Sequence, residues 1–323
     1  MRTLHNGIGR ILLVKVKILS AQALIAALLA CGQLGVLHRS FAQGSNSSRL
    51  DGDGVQMLLP SASTGSSLRL GVTNPNTSAR FGFDYKAKAS ASPADTKQGF
   101  SYWNLPAVPL TYASGGAGYT ARLHLYASGG SQNFNWKTQK GYLSSPADVK
   151  NQEFTVYVRV HEALTPKIAQ VTLKIRGGRH SEKDPDAGSC TMMTFAPSSN
   201  AGGVARFGKE LSHPSYDYVM LTPALGATLQ DNTWVGLKLI SYTNPKNAAQ
   251  VINQMHIDTA AFDVNGKPAN QWRLLSEYVD EEGKSTGQYN QLVSWGGWQT
   301  TLRMDGYRSI DFAYPSVREI LPP

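Results

Sequence analysis

The chain has 323 residues, with 31 Lys and Arg against 22 Asp and Glu, 41% hydrophobic and 16% charged residues, which is the balance of a globular chain able to bury a core. Two cysteines exclude a disulfide-dense scaffold and a four-cysteine zinc site, and 31 Gly with 16 Pro follow no collagen-like period. The formal charge of +9 invites a nucleic-acid reading until the charges are located.

Part of the surplus sits in a leader. Arg2, Arg10, Lys15 and Lys17 precede an apolar run from Ile18 to Leu37, and Ser40 and Ala42 supply the small side chains that a signal peptidase needs before its cut. Residues 1–42 therefore read as a signal peptide cleaved after Ala42, with an uncleaved signal anchor or lipidation at Cys31 as alternatives. Each places the rest of the chain in the extracellular space or cell envelope, with membrane contact only through this segment. Removing residues 1–42 takes five cations and no acid, leaving 26 cations against 22 acids, so the nucleic-acid reading falls away. Cys190 is then the single cysteine, expected to be a small buried hydrophobe. Asn46-Ser47-Ser48 and Asn76-Thr77-Ser78 are permissive for glycosylation.

Residues 43–52 read as a polar tether and 53–323 as one domain. Short runs of alternating polarity punctuated by Gly and Ser predict strands at Val55 to Leu59, Tyr119 to Leu125, Phe154 to His161, Val171 to Arg176, Cys190 to Ala196 and Tyr216 to Leu221. Further strands follow at Val235 to Tyr242, Val251 to Ile257, Gln271 to Val279, Trp298 to Met304 and Ser309 to Tyr314, while Lys86 to Gln98 reads as a surface loop. A dozen or so strands without helical periodicity or an internal repeat predict an all-β, two-sheet antiparallel jelly-roll sandwich.

The side-chain period of two assigns faces. Phe154, Val156, Val158 and Val160 point to a core, and Thr155, Tyr157, Arg159 and His161 away from it; Val171, Leu173 and Ile175 point inward, and Thr172, Lys174 and Arg176 outward. Arg206, Glu210, Lys238, Gln254, His256, Tyr289 and Gln291 extend the outward inventory. If these strands share one sheet, their polar sides form a cationic groove suited to anionic sugars; otherwise they are the solvated face that any sandwich has.

From about Gln152 to Ile320 the chain resembles the concanavalin A-like lectin/glucanase superfamily. The cues are Trp234-Val-Gly-Leu-Lys238, Met255-His256-Ile257-Asp258, Asn270-Gln271-Trp272 and Ser316-Val317-Arg318-Glu319-Ile320. The resemblance implies two curved sheets whose concave face receives an oligosaccharide. Within the superfamily, Gln254-Met255-His256 and Tyr289-Asn290-Gln291 are similar to two strands of alginate-lyase-type polysaccharide lyases. Arg206 and Glu210 depart from that branch, having three residues between them where it has one. The paired-carboxylate strand of the glucanases is absent, because Glu277 to Glu282 has the wrong spacing.

No Ser-hydrolase elbow, metalloprotease helix, P-loop or dinucleotide fingerprint occurs, so no cofactor and no catalytic metal are expected. Asp51-Gly52-Asp53-Gly54 is too short for an EF-hand loop, and a loosely held Ca²⁺ there stays open. Trp295-Gly296-Gly297-Trp298 either exposes two rings for sugar stacking or packs both in a turn. Three functions compete. The first is an exported protein binding an acidic polysaccharide through Tyr157, Arg159, His161, Lys174, Arg176, Lys238, Glu210 and Gln291. The second is a lyase in which Arg206, Arg159 or Gln254 neutralises a uronate while His256 and Tyr289 serve as base and acid. The third is a structural component of the envelope.

Overall fold

The computed structural model describes residues 49–63, 67–69, 81–83, 90–92, 99–111, 117–126, 148–177, 190–196, 205–212, 215–221, 229–284 and 290–323. The leader, both glycosylation triplets and Tyr289 lie outside them. Among the described residues there are strands and no helix, and all neighbours pair antiparallel.

Two eight-stranded sheets form a sandwich. Along sheet I run β14 (Arg273–Glu281), β13 (Gln250–Asp258), β12 (Val235–Thr243), β7 (Gln152–Ala163), β16 (Tyr307–Glu319), β4 (Tyr102–Pro106) and β3 (Ser90–Ser92), with β1 (Ser67–Arg69) also on β16. Along sheet II run β11 (Ser215–Leu221), β10 (Ala205–Ser212), β9 (Cys190–Phe195), β8 (Gln170–Gly177), β15 (Gln299–Asp305), β6 (Ala117–Tyr126) and β2 (Phe81–Phe83), with β5 (Val108–Thr111) on β6. Consecutive strands β7 and β8 therefore lie in different sheets, as do β15 and β16.

Alternation builds the core between them. Phe154, Val156, Val158 and Val160 of β7 meet Val171, Leu173 and Ile175 of β8, joined by Leu237 and Leu239, Met255 and Ile257, and Leu302 and Met304. The change of sheet from β15 to β16 turns on Gly306, whose φ of 78° suits a residue without Cβ, and where an added Cβ would lie 2.7 Å from the Ala169 backbone.

Strands β1, β2, β4, β5 and β10 were not expected from the sequence, and three further elements differ from expectation. Val55 to Leu59 is not a strand: apart from a bridge between Leu50 and Gln56 it runs as an extended strap over sheet I. Ser90–Ser92, expected within a loop, pairs with β4. β16 continues past Pro315, which periodicity reads as a stop, because a register shift between Ala313 and Ser316, with Tyr314 at φ 49°, takes the proline out of the ladder.

Candidate functional site

The side chains expected to form one groove are divided between the two outer faces. On sheet I, Lys238 sits opposite both Thr155 of β7 and His256 of β13, so Tyr157, Arg159, His161, Lys238, Gln254 and His256 share its outer face. Lys174, Arg206 and Glu210 alternate with Leu173, Phe207 and other core residues of sheet II and point out from the opposite side of the sandwich. A single trough through both strand sets is therefore corrected, because β7 and β8 are not neighbours. It follows that Arg206 and His256 cannot act on one sugar.

Arg176 is a second correction. It takes φ 53° next to a register shift between β15 and β8, which turns its side chain inward instead of out. Fully buried, it donates to Ser241 Oγ at 2.9 Å and to the Trp295 carbonyl at 3.1 Å, and burial draws its pKa down. Gln291 contributes its carbonyl, which accepts from Lys209 Nζ at 2.7 Å. Both Trp295 and Trp298 are buried, so that segment offers no exposed rings.

Around Lys238 the outer face of sheet I is covered by the chain itself, whereas Arg159, His161, Gln254 and His256 on the same face stay partly exposed. Lys238 Nζ donates to Glu153 Oε1 at 2.6 Å, Thr155 Oγ1 at 2.8 Å and the Gln56 carbonyl of the strap at 2.9 Å. Glu153 Oε2 accepts from Arg318 at 2.6 Å and from the strap amides of Leu58 and Leu59. Burial alone would raise the Glu153 pKa, yet Lys238 and Arg318 hold it below the ordinary carboxylate range. Val55 packs with Phe100, Tyr157, Trp234, Ala261 and Ala313, while Leu58 and Leu59 cover Ile240, Tyr242 and Ile320. His256 lies half-buried beside Lys238, and desolvation followed by that positive charge pushes its pKa down to about 4. The Asp51-to-Gly54 stretch belongs to the same strap. Asp51 Oδ1 accepts from the amides of Asp53 and Val55, and no cluster of three potential metal ligands occurs among the described residues.

The outer face of sheet II is built of side chains. Register aligns Tyr218, Gly208, Met192, Lys174, Thr301 and His124 in one row across six strands, and Arg206, Thr194, Thr172, Arg303 and Arg122 in the next. At a strand spacing of about 4.8 Å the first row spans about 24 Å. Lys174 pairs with Glu210 at 2.5 Å, reaching over β9, and Arg303 pairs with Asp305 at 2.7 Å. Arg303 Nη1 also donates to the Tyr216 hydroxyl at 2.9 Å, although β15 and β11 are four strands apart. Two side chains close such a span only where the face curves inward, so this face is concave.

Aromatic rings order the cations. Arg206 lies 4.8 Å from the centroid of Tyr218 and hydrogen-bonds Gln170, Lys174 lies 5.1 Å from that of Tyr216, and the two tyrosine rings stack at 5.8 Å. Gly208 makes room, since a Cβ there would stand 2.9 Å from the Tyr218 ring. Desolvation raises both phenols, Tyr218 to about 12, so both remain protonated donors at neutral pH. Opposite them, His124 Nδ1 meets Thr301 Oγ1 at 2.9 Å and the Gln299 amide at 2.7 Å, an orienting pair for the imidazole. Among the described residues, Arg206 Nε, Gln299 Oε1 and Asp305 Oδ1 of this face are buried without a hydrogen-bond partner. Such atoms carry a desolvation cost that the hydroxyls and carboxylates of a bound sugar would remove.

The sequence reading included Lys174, Arg206 and Glu210 but missed Arg122, His124, Tyr216, Tyr218, Gln299, Thr301 and Arg303. The signal was present, since Ala121-Arg-Leu-His-Leu125 and Thr301-Leu-Arg-Met-Asp305 alternate as cleanly as β7.

No protein-family model and no curated protein matches the chain. Among solved structures it is similar to an endo-β-1,4-glucuronan lyase from the fungus Trichoderma reesei, at 13% identity over 74% of this chain and 91% of that one, with TM-score 0.39. It is also similar to lectin I-B4 of Griffonia simplicifolia, at 9% identity over 78% and 98% with TM-score 0.35, and to the marine PL-14 alginate lyase from Aplysia kurodai, at 11% over 65% and 87% with TM-score 0.25. At these scores the functional reading rests on the side chains alone.

Proposed function

We propose that this is an exported protein that holds an acidic polysaccharide on the concave outer face of sheet II. The observation that carries the reading is the pair of side-chain rows across that face. They set Arg122, Lys174, Arg206 and Arg303 against Glu210 and Asp305 and leave buried polar atoms unpartnered. Planar guanidinium groups stacked on tyrosine suit carboxylates, and the leader of residues 1–42 supports export. Titration with polyglucuronate, alginate and a neutral glucan tests it: the two acidic polymers should bind, more weakly as salt rises, and the neutral one should not. Equal affinity for all three, or none for any, overturns the reading.

A second reading, cleavage by β-elimination, is favoured by the placing of His124 and Tyr216 on this face. Gln299 Nε2 donates to His124 Nδ1, which puts the neutral ring's proton on Nε2; His124 takes the C5 proton of a uronate held by Arg303 only from the other tautomer, in which Nδ1–H donates to Thr301 Oγ1 and Nε2 is the base. The electron pair of the broken C–H bond forms the C4–C5 double bond, the C4–O4 bond breaks, and Tyr216 gives its proton to the departing oxygen. Absorbance from new unsaturated uronates should then appear, and His124→Asn and Tyr216→Phe should abolish it while sparing binding. Binding without new absorbance leaves the first reading and removes the second.

A further inference from the structure

On the outer face of sheet I, beyond the Lys238 clasp, His161 stands at the end of β7 with one ring nitrogen on each of two acceptors. Nε2 lies 2.6 Å from Asp311 Oδ2 on β16, and Nδ1 lies 2.6 Å from the side-chain oxygen of Asn232. A neutral imidazole has a single N–H, so only the imidazolium donates to both at once. Asn232 belongs to the segment that leads into β12, and this segment docks on the end of β7 through two more bonds. The Asn232 amide donates to the Val160 carbonyl at 2.9 Å, and the Glu162 amide donates to Asp231 Oδ1 at 2.7 Å. Of the three, only the imidazole contact titrates near neutrality.

The groups around the ring favour its charge. Asp311, itself held by Arg159 at 2.7 Å and by Asn104 at 2.7 Å, faces it from β16. Arg159 on the same strand opposes the charge, but its guanidinium is engaged by Asp311 and packs against the rings of Tyr102 and Trp234, at 5.0 and 4.9 Å. Asp231 is turned to the Glu162 amide, and Glu162 pairs with Arg308 in solvent. The hydrogen bond to Asp311 outweighs burial and raises the His161 pKa above its ordinary value.

The geometry points to a pH-operated latch, in which protonated His161 seats the Asp231–Trp234 segment on the end of β7 and loss of its proton releases that segment. Because the folded-state value is raised, the contribution is complete below about pH 6.5 and disappears as pH rises through the value in the folded protein. Release would be felt at Trp234 and Thr233, which with Phe100, Phe262 and Val264 line a cleft of about 350 Å³.

Hydrogen exchange of the Asn232 amide, read by NMR on the full chain and corrected for intrinsic exchange, tests the latch independently of any sugar. Protection should fall as pH rises above about 6.5 and through the value in the folded protein, by up to about tenfold for each unit by which His161 titrates above its ordinary value. His161→Gln should remove that dependence, and Asn232→Asp, which adds a second carboxylate beside the ring, should move it to higher pH. The proposal is overturned if the His161 ring titrates at or below the ordinary histidine value, if protection is independent of pH, or if His161→Gln retains the wild-type dependence. Should His161→Gln fail to fold, the wild-type ring titration and Asn232→Asp decide the matter.

Discussion

Lys238 on sheet I and Lys174 on sheet II are counterparts: each points outward from a strand of a sheet, each is at most 2% exposed, and each pairs with a glutamate, at 2.6 and 2.5 Å respectively. What surrounds them differs. Lys238 is capped by the carbonyl of Gln56, 182 residues away in sequence, and its glutamate fastens two strap amides, so both charges serve to hold the chain on itself. Lys174 lies beside Glu210 and the ring of Tyr216, among Arg122, His124, Thr301 and Arg303, which are themselves no more than 7% exposed. A buried ion pair thus marks a structural clasp on one face and a candidate recognition surface on the other.

The largest effect that would sharpen this contrast is expected from Glu153→Gln. It leaves Lys238 and Arg318 buried without their carboxylate and should cost about 3–5 kcal/mol in urea unfolding. Because the Glu153 pKa is depressed in the folded state, its contribution is present above the unfolded value of about 4.3 and is lost as pH falls through the folded value. The gap between wild type and Glu153→Gln should therefore narrow in acid; a gap unchanged down to about pH 2 would contradict the clasp.

Val55→Ala, which empties part of the strap's apolar contact, should cost about 1–2.5 kcal/mol. Arg206→Ala on the other face should move stability by less than about 1 kcal/mol while weakening polyuronate binding about tenfold or more. A stability loss matching that of Glu153→Gln would make sheet II a second clasp. The smallest change is expected from Gly208→Ala, whose methyl displaces the Tyr218 ring and should reduce affinity a few-fold through Arg206.

Most of the strands in the second half of the chain were legible, because Phe-Thr-Val-Tyr-Val-Arg-Val-His and Val-Thr-Leu-Lys-Ile alternate and alternation follows directly from the pleat. The inward set of β7 and that of β8 up to Ile175 are as periodicity gives them. Arg176 was not legible, since a single left-handed residue at a register shift reverses its side without any mark in the pattern. The strap was misread for a related reason: Val55 to Leu59 has the composition of a strand, yet its partners are side chains and amide groups of residues such as Asn270 and Glu153. The candidate site was half visible, in Lys174, Arg206 and Glu210. His124 and Arg303 alternate just as well but are distant in sequence, and nothing local joins them to β8.

By itself the sequence determined that the chain has strands, which side of most of them is apolar, and that its cations alternate with its core. Only the tertiary structure decided that β7 and β8 part into different sheets, that one polar face is covered in part by the chain's own strap, and that the other gathers tyrosine, arginine and histidine into a concave surface. The physical reason is one of range: side-chain alternation is set by neighbouring residues, whereas strand order and cover are set by contacts between residues from about ten to more than two hundred positions apart.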